Sequence, residues 1–354
     1  MQIEILLAHC PSFSLKKYND ILRVFGSTKN FWDSGDIKLL GWTPKFIEVF
    51  SNWQKKLDED KLNKILVQED IRVIIFNDLE YPVELSKVFD PPFALFVRGN
   101  LKNNLPNLAV VGTRKYTQYG RQVVHRIIPE IAHEMTIVSG LAFGIDKEVH
   151  TATLQINGHT IAVLGGGIDN KTIYPQSHVG LAKNILECGG ALVSEYPPLT
   201  KPTKFSFPKR NRIVAGMSLG TLVIEAPIKS GSLITAQYAL DSAREVFAIP
   251  QNITSITAEG PNYLIKNGAH PVTSPRDIFE ILQITKKEKI EKEKPKAESP
   301  EEGQIINCLT EEPKHLDIII RETELPNSTV SSTLIMMEIR GVVQNLGNMN
   351  YVLR

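Results

Sequence analysis

The chain has 354 residues, of which 42% are hydrophobic and 22% charged, with a formal net charge of +1. That length and ordinary composition point to two or three globular domains, so any attraction for a polyanion has to come from a local patch and not from overall charge. Three cysteines far apart, Cys10, Cys188 and Cys308, indicate neither a disulfide framework nor a zinc cluster, and no apolar run approaches the roughly 18 residues needed to span a bilayer. A cytoplasmic protein without membrane segments is expected.

Residues 1–70 read as a small helical domain. Tyr18, Ile21, Leu22 and Phe25 repeat at helical spacing up to Gly26, and Phe46, Ile47, Phe50, Trp53 and Leu57 do the same. The turn Leu40-Gly41-Trp42 between them suits packing better than DNA-backbone contact.

From 71 to 284 the pattern changes. Arg72–Phe76 and Phe93–Val97 read as strands, and from Leu108 a unit repeats: an apolar run, a glycine or small residue, then a helical stretch. The runs are Leu108–Val111, Thr136–Val138, Thr160–Leu164, Ala191–Val193, Thr221–Ile224 and Val246–Ile249, with helices such as Val123–Ile131 and Leu233–Leu240 between them. Alternation of this kind predicts an α/β fold, an extended Rossmann-like and mostly parallel sheet. All strand C-terminal ends then share one edge, where ligands bind. Residues 285–302 read as a charged linker, and 303–354 as a winged-helix domain of three helices and a terminal hairpin. Its third helix, Val330–Arg340, carries Met336, Met337 and one cation, Arg340, which favours contact with protein over sequence-specific reading of DNA.

The stretch Lys201–Ser218, KPTKFSFPKRNRIVAGMS, holds Lys201, Lys204, Lys209, Arg210 and Arg212 with Phe205 and Phe207 and no acid. Cations for phosphates and rings for base faces suit an unpaired strand better than a duplex. Loops at the strand ends fit the same ligand: Gly112-Thr113-Arg114, Ser139-Gly140 with Gly144, and Ser230-Gly231-Ser232 place small residues at helix starts, where backbone N–H groups approach an anion. A dinucleotide fingerprint, a P-loop, a zinc helix and a nucleophile elbow are all missing, so no cofactor and no metal are expected. Asp146, Asp169, Glu195 and Glu225 sit in loops or at strand ends and read as caps or ion-pair partners; no catalytic set can be assembled from their spacing.

VGTRKYTQYG (Val111–Gly120), SGLAFGID (Ser139–Asp146), LGGGIDNKTIYP (Leu164–Pro175), FPKRNRIVAGMS (Phe207–Ser218), VIEAPIKSGSLITAQYAL (Val223–Leu240) and GPNYLIKNGA (Gly260–Ala269) follow one another in an order and spacing that resemble the DNA-processing protein A family, DprA or Smf. The resemblance covers roughly residues 70 to 283. It implies a single-stranded DNA-binding protein that is not an enzyme, dimerises, protects incoming DNA and loads the recombinase RecA during natural transformation. By matching position it makes Arg114, Lys209, Arg210, Asn211 and Arg212 DNA-binding, with Phe205 and Phe207 as stacking rings. Gly112, Thr113, Ser139, Gly140, Gly144, Gly231 and Ser232 would line a phosphate or base pocket. Ala243 and Gln251 stand where glycine is frequent in the family. An alternative is a nucleoside-monophosphate phosphoribohydrolase of the lysine-decarboxylase-like fold, whose signature would fall on Met217–Glu225; Gly220, Thr221 and Glu225 stand there, but its P-G-G is missing.

Overall fold

Nine short strands, β1 (Arg72–Ile75), β2 (Ala94–Gly99), β3 (Asn107–Val111), β4 (Thr136–Ser139), β5 (Thr160–Val163), β6 (Ala191–Ser194), β7 (Gly220–Val223), β8 (Glu245–Ala248) and β9 (His270–Pro271), build one sheet in the order β1-β2-β6-β5-β4-β3-β7-β8-β9. The structure is a computed structural model and describes residues 1–101, 104–284, 297–309, 314–345, 347 and 349–353. Pairing is parallel from β6 across to β9, while β2 runs antiparallel to both β1 and β6. The predicted α/β sheet is therefore present, and each apolar run named above is one of its strands. The two-residue β9 went unanticipated, being too short to carry a pattern.

The strands are buried on both faces, and their side chains alternate between two layers. In β3, Leu108 and Val110 pack with Val124, Ile128 and Ile131 of the helix Gln118–Glu134, whereas Ala109 and Val111 join Ala236 and Ala239 of the helix Gly231–Asp241. Fully buried rings such as Phe96 and Phe247 each contribute about 2–3 kcal/mol by leaving water. The helix after β3 thus lies on one face and the helix after β7 on the other. Where neighbouring strands send their chains to opposite faces, a crevice opens at their C-terminal ends.

The N-terminal helices share a core with this sheet. Phe31, Trp42, Phe46 and Phe50 form an aromatic cluster, with Trp42 and Phe46 centroids 5.0 Å apart, and Tyr18 meets Phe93, just ahead of β2, at 4.8 Å. Gly26 ends the helix Leu15–Phe25 at φ 73°, and Trp42 is buried, so Leu40-Gly41-Trp42 serves packing. Two compact units result, Met1–Thr285 and Lys286–Arg354; no division falls at residue 70. Most of the expected linker lies outside the described residues, and from Pro300 the chain is already helical, capped by Ser299.

The second unit has helices Pro300–Cys308, Leu316–Thr323 and Asn327–Ile339 around Ile305, Ile319, Val330, Leu334 and Met337, with antiparallel strands Val343–Asn345 and Asn350–Leu353, as expected for a winged helix. Arg340, which caps the third helix at its C-terminal end, is ion-paired to Glu298 at 2.5 Å and also to Glu302, so this cation is already engaged.

Candidate nucleic-acid interface

Segments after β3, β4, β5, β6, β7 and β8 surround a cleft of about 1170 Å³. Seven cations line it, Arg114, Lys115, Lys171, Lys201, Lys204, Arg210 and Lys229, against one carboxylate, Asp146. All but Arg210 are exposed, and among the described residues none of those six has an ion-pair partner. A surplus of this size in a chain of net charge +1 is local by construction, and a concave wall focuses it. Rings stand among the cations. The Arg114 guanidinium lies over Phe207 at 5.7 Å from its centroid, and Tyr174, half exposed, meets Phe207 at 5.7 Å. Phe205 is exposed outside the cleft with Lys204 over its ring at 5.0 Å.

The basic stretch does not act as one surface, because Ser206–Gly216 is a helix. At 3.6 residues per turn, Phe207, Arg210, Asn211 and Val214 come to the cleft, and Lys209 and Arg212 turn away from it. Lys209 reaches Glu195 at 3.3 Å, and the buried Arg212 pairs with the same carboxylate at 2.5 Å and with Asp90 at 3.7 Å. Lys209 and Arg212, expected to bind DNA together with Arg114, therefore do not line this cleft, because the helical period of the stretch sorts its charges onto two faces.

The floor of the cleft is polar and tightly joined. Gly140 sits against Asp146 and Arg210, and a Cβ there would collide with both side chains. Burial pushes the Asp146 carboxyl up, against the pull of Arg210, the Ala142 amide and Ser139. Arg210, itself buried, donates to the Val163 carbonyl and through Nε to Asn211 Oδ1 at 3.1 Å. His150 bonds the Gly140 carbonyl through Nε2 at 2.6 Å and Thr160 through Nδ1 at 2.7 Å, and burial lowers its pKa to about 4, so it is a neutral brace. Glu225 accepts from the Thr117 N–H at 2.8 Å, the Thr117 hydroxyl at 2.7 Å and the Thr257 hydroxyl at 3.0 Å. It closes the start of the helix Gln118–Glu134, a structural duty. Asp169 ties its own loop to the next through the Leu199 N–H at 2.7 Å. Among the described residues no group of three His, Cys, Asp or Glu is placed to hold a metal, and no helix is long and apolar enough to cross a membrane.

Gly112, Thr113, Arg114, Gly140, Phe207, Arg210, Asn211, Gly231 and Ser232 therefore come together in the cleft wall. Ser139 lies behind it, its hydroxyl donating to the Val110 carbonyl at 2.6 Å, and Gly144 packs its backbone at φ 87° against Thr113. Sequence reasoning missed Lys115, Lys171, Lys229 and Tyr174. Each stands within a motif quoted above, three to seven residues past a glycine or an acid at a strand end, so the signal was the loop position, in advance of any charge cluster.

A family model described as DNA recombination-mediator protein A matches residues 72–283, and one described as the DprA winged helix domain matches 290–349. Protein Smf of Escherichia coli (strain K12) is 44% identical over 254 residues, covering 71% of this chain and 67% of the relative. The X-ray structure of DNA processing protein A from Streptococcus pneumoniae superposes with a TM-score of 0.68 at 34% identity, over 79% of this chain and 98% of that one. A structure reporting the single-stranded DNA binding mode of DNA processing protein A from Helicobacter pylori gives 0.54 at 28% identity, over 60% and 95%. With a cleft built from the motifs of that family and a model spanning the sheet that carries it, the chain belongs to the DNA recombination-mediator protein A (DprA/Smf) family.

Proposed function

We propose that the cleft holds single-stranded DNA, without catalysing a reaction on it. One observation carries this reading: in a single concave site five exposed cations surround Arg114, which lies over Phe207 beside Tyr174, and among the described residues none of these six cations has an ion-pair partner. Phosphates take the cations, and bases with free faces, which only an unpaired strand offers, take the rings. The relative from Helicobacter pylori, described as binding single-stranded DNA, supports the same ligand.

On this reading Arg114, Lys115, Lys171, Lys201, Lys204 and Lys229 contact phosphates, Asn211 and the backbone around Gly140 and Gly231 supply neutral donors, and Arg210 holds the floor in shape. Lys209 and Arg212 act outside the cleft. The finer proposal, taken from family membership, is that the bound strand is protected and handed to RecA during DNA uptake by a homodimer of this chain. The phosphoribohydrolase reading is not favoured, since Glu225, the carboxylate it needs, is engaged by three donors.

Photo-crosslinking to an oligonucleotide carrying a halogenated uracil tests the reading. Adducts are expected on Phe207 or Tyr174; adducts confined to the winged helix would place the strand elsewhere.

A further inference from the structure

Lys209 and Arg212 lead away from the cleft to a second cationic surface. Arg212 lies 3.7 Å from Asp90 and shares Glu195 with Lys209. Asp90 borders a groove made by Lys16, Asn19 and Arg23 of the helix Leu15–Phe25 together with Phe89 and Pro91. Spacings of three and four residues put those three side chains on one helix face. Asp90 of the groove is thus joined through Arg212 and Glu195 to Lys209.

Along this path four cations, Lys16, Arg23, Lys209 and Arg212, face three acids, so the paired charges leave a surplus of one, on Lys16. Glu195 is held by Lys209 and Arg212, Asp90 by Arg212, and Asp20 by Arg23 at 3.0 Å. Lys16 is exposed and has no ion-pair partner among the described residues. Phe89 is fully exposed, a position the fold itself gives no reason for. An exposed ring beside cations is the pairing that an unpaired nucleic-acid strand uses. Lys204 lines the cleft and lies over the ring of Phe205, which stands one helical turn ahead of Lys209, whose N–H donates to the Phe205 carbonyl at 3.4 Å.

We infer that the groove beside Phe89 is a second contact for the same strand: a single strand leaving the cleft past Lys204 and Phe205 crosses Lys209 and reaches Lys16, Arg23 and Phe89. Phosphates meet the two cations and a base stacks on the ring. The inference rests on the reading of the cleft as a single-strand site.

The test measures binding of the full chain, by fluorescence anisotropy, to a thymidine oligomer of about six nucleotides and to one of about twenty. In Phe89→Ala the longer oligomer should bind about tenfold more weakly, the loss of one stacked base, with the short one unchanged. In the double variant Lys16→Ala/Arg23→Ala, the log–log salt slope for the longer oligomer should fall by about 0.7 per lost contact. All three residues are exposed, and an unchanged thermal midpoint would exclude unfolding as the cause. Parental binding of both oligomers by both variants overturns the second contact, as does equal weakening for both lengths. Loss of both lengths in Arg114→Ala supports the cleft itself, and an unsubstituted chain that binds neither oligomer overturns cleft and groove together.

Discussion

The Arg114 guanidinium lies over the ring of Phe207, 5.7 Å from its centroid, although 93 positions separate them in sequence. Arg114 follows β3 and Phe207 opens the helix after β6, so the pair exists only because a parallel sheet brings strand C-terminal ends to one edge. It joins a phosphate-binding group to a stacking surface at the centre of the cleft.

Removing each half of that pair should separate charge from stacking. Arg114→Ala should weaken single-strand binding and flatten the log–log salt slope by about 0.7. Phe207→Ala should cost roughly 1–3 kcal/mol of binding with the slope unchanged. Titrations at several salt concentrations check both; a slope change in Phe207→Ala alone would reverse the assigned roles.

Two basic residues three apart on one helix should behave differently in unfolding. Arg212→Ala takes the nearer of two cations from the largely buried Glu195 carboxylate, leaving it Lys209 at 3.3 Å, and should cost about 2–3 kcal/mol. Lys209 is half exposed and pairs at the surface, so Lys209→Ala should cost less than about 1 kcal/mol. Urea unfolding of the two variants decides it, and equal stabilities would remove the structural role given to Arg212.

Ala243, where the family often has glycine, holds φ at 53°, just past the helix Gly231–Asp241. A left-handed conformation costs a residue with a Cβ about 1–2 kcal/mol, part of which glycine returns as entropy in the unfolded chain. Ala243→Gly should therefore raise the thermal midpoint by a few degrees. A lower midpoint would mean that the Ala243 methyl makes contacts worth more than the strain.

Acid should destabilise the protein through its buried histidines. In the unfolded chain His150 takes up a proton near pH 6.5, whereas in the fold burial delays this to about 4. The unfolded state binds more protons across that window, so stability falls as pH drops from 6.5 towards 4, by roughly 3 kcal/mol from His150 alone. His9 and His159, also lowered by burial, act in the same direction, while the raised carboxyl of Asp146 opposes them. Chemical unfolding at pH 7 and at pH 5 should show the loss, and a flat profile would contradict a neutral His150.

The sheet was legible because buried parallel strands leave an unbroken apolar run before a glycine, as Leu108–Val111 and Thr160–Leu164 do. Most of the cleft was legible for the same reason, since strand ends in such a sheet share an edge. The two faces of the helix Ser206–Gly216 were not, because a dense run of cations with two rings hides its apolar period. Ile213 and Val214 are buried inside it, yet only packing reveals which way Lys209 and Arg212 turn. Nor was the joined core of the N-terminal helices and the sheet, since Phe93 and Phe96 meet those helices through contacts between distant residues that no local pattern records.

The most direct measurement of the central claim is a salt-dependent titration of the full chain with single- and double-stranded oligonucleotides of one sequence. The account predicts preference for the single strand and a log–log slope of about −4 from six exposed cations in the cleft, reduced by about 0.7 in each of Arg114→Ala, Lys171→Ala and Lys229→Ala. Equal affinity for the duplex, or a slope unmoved by all three substitutions, would contradict it.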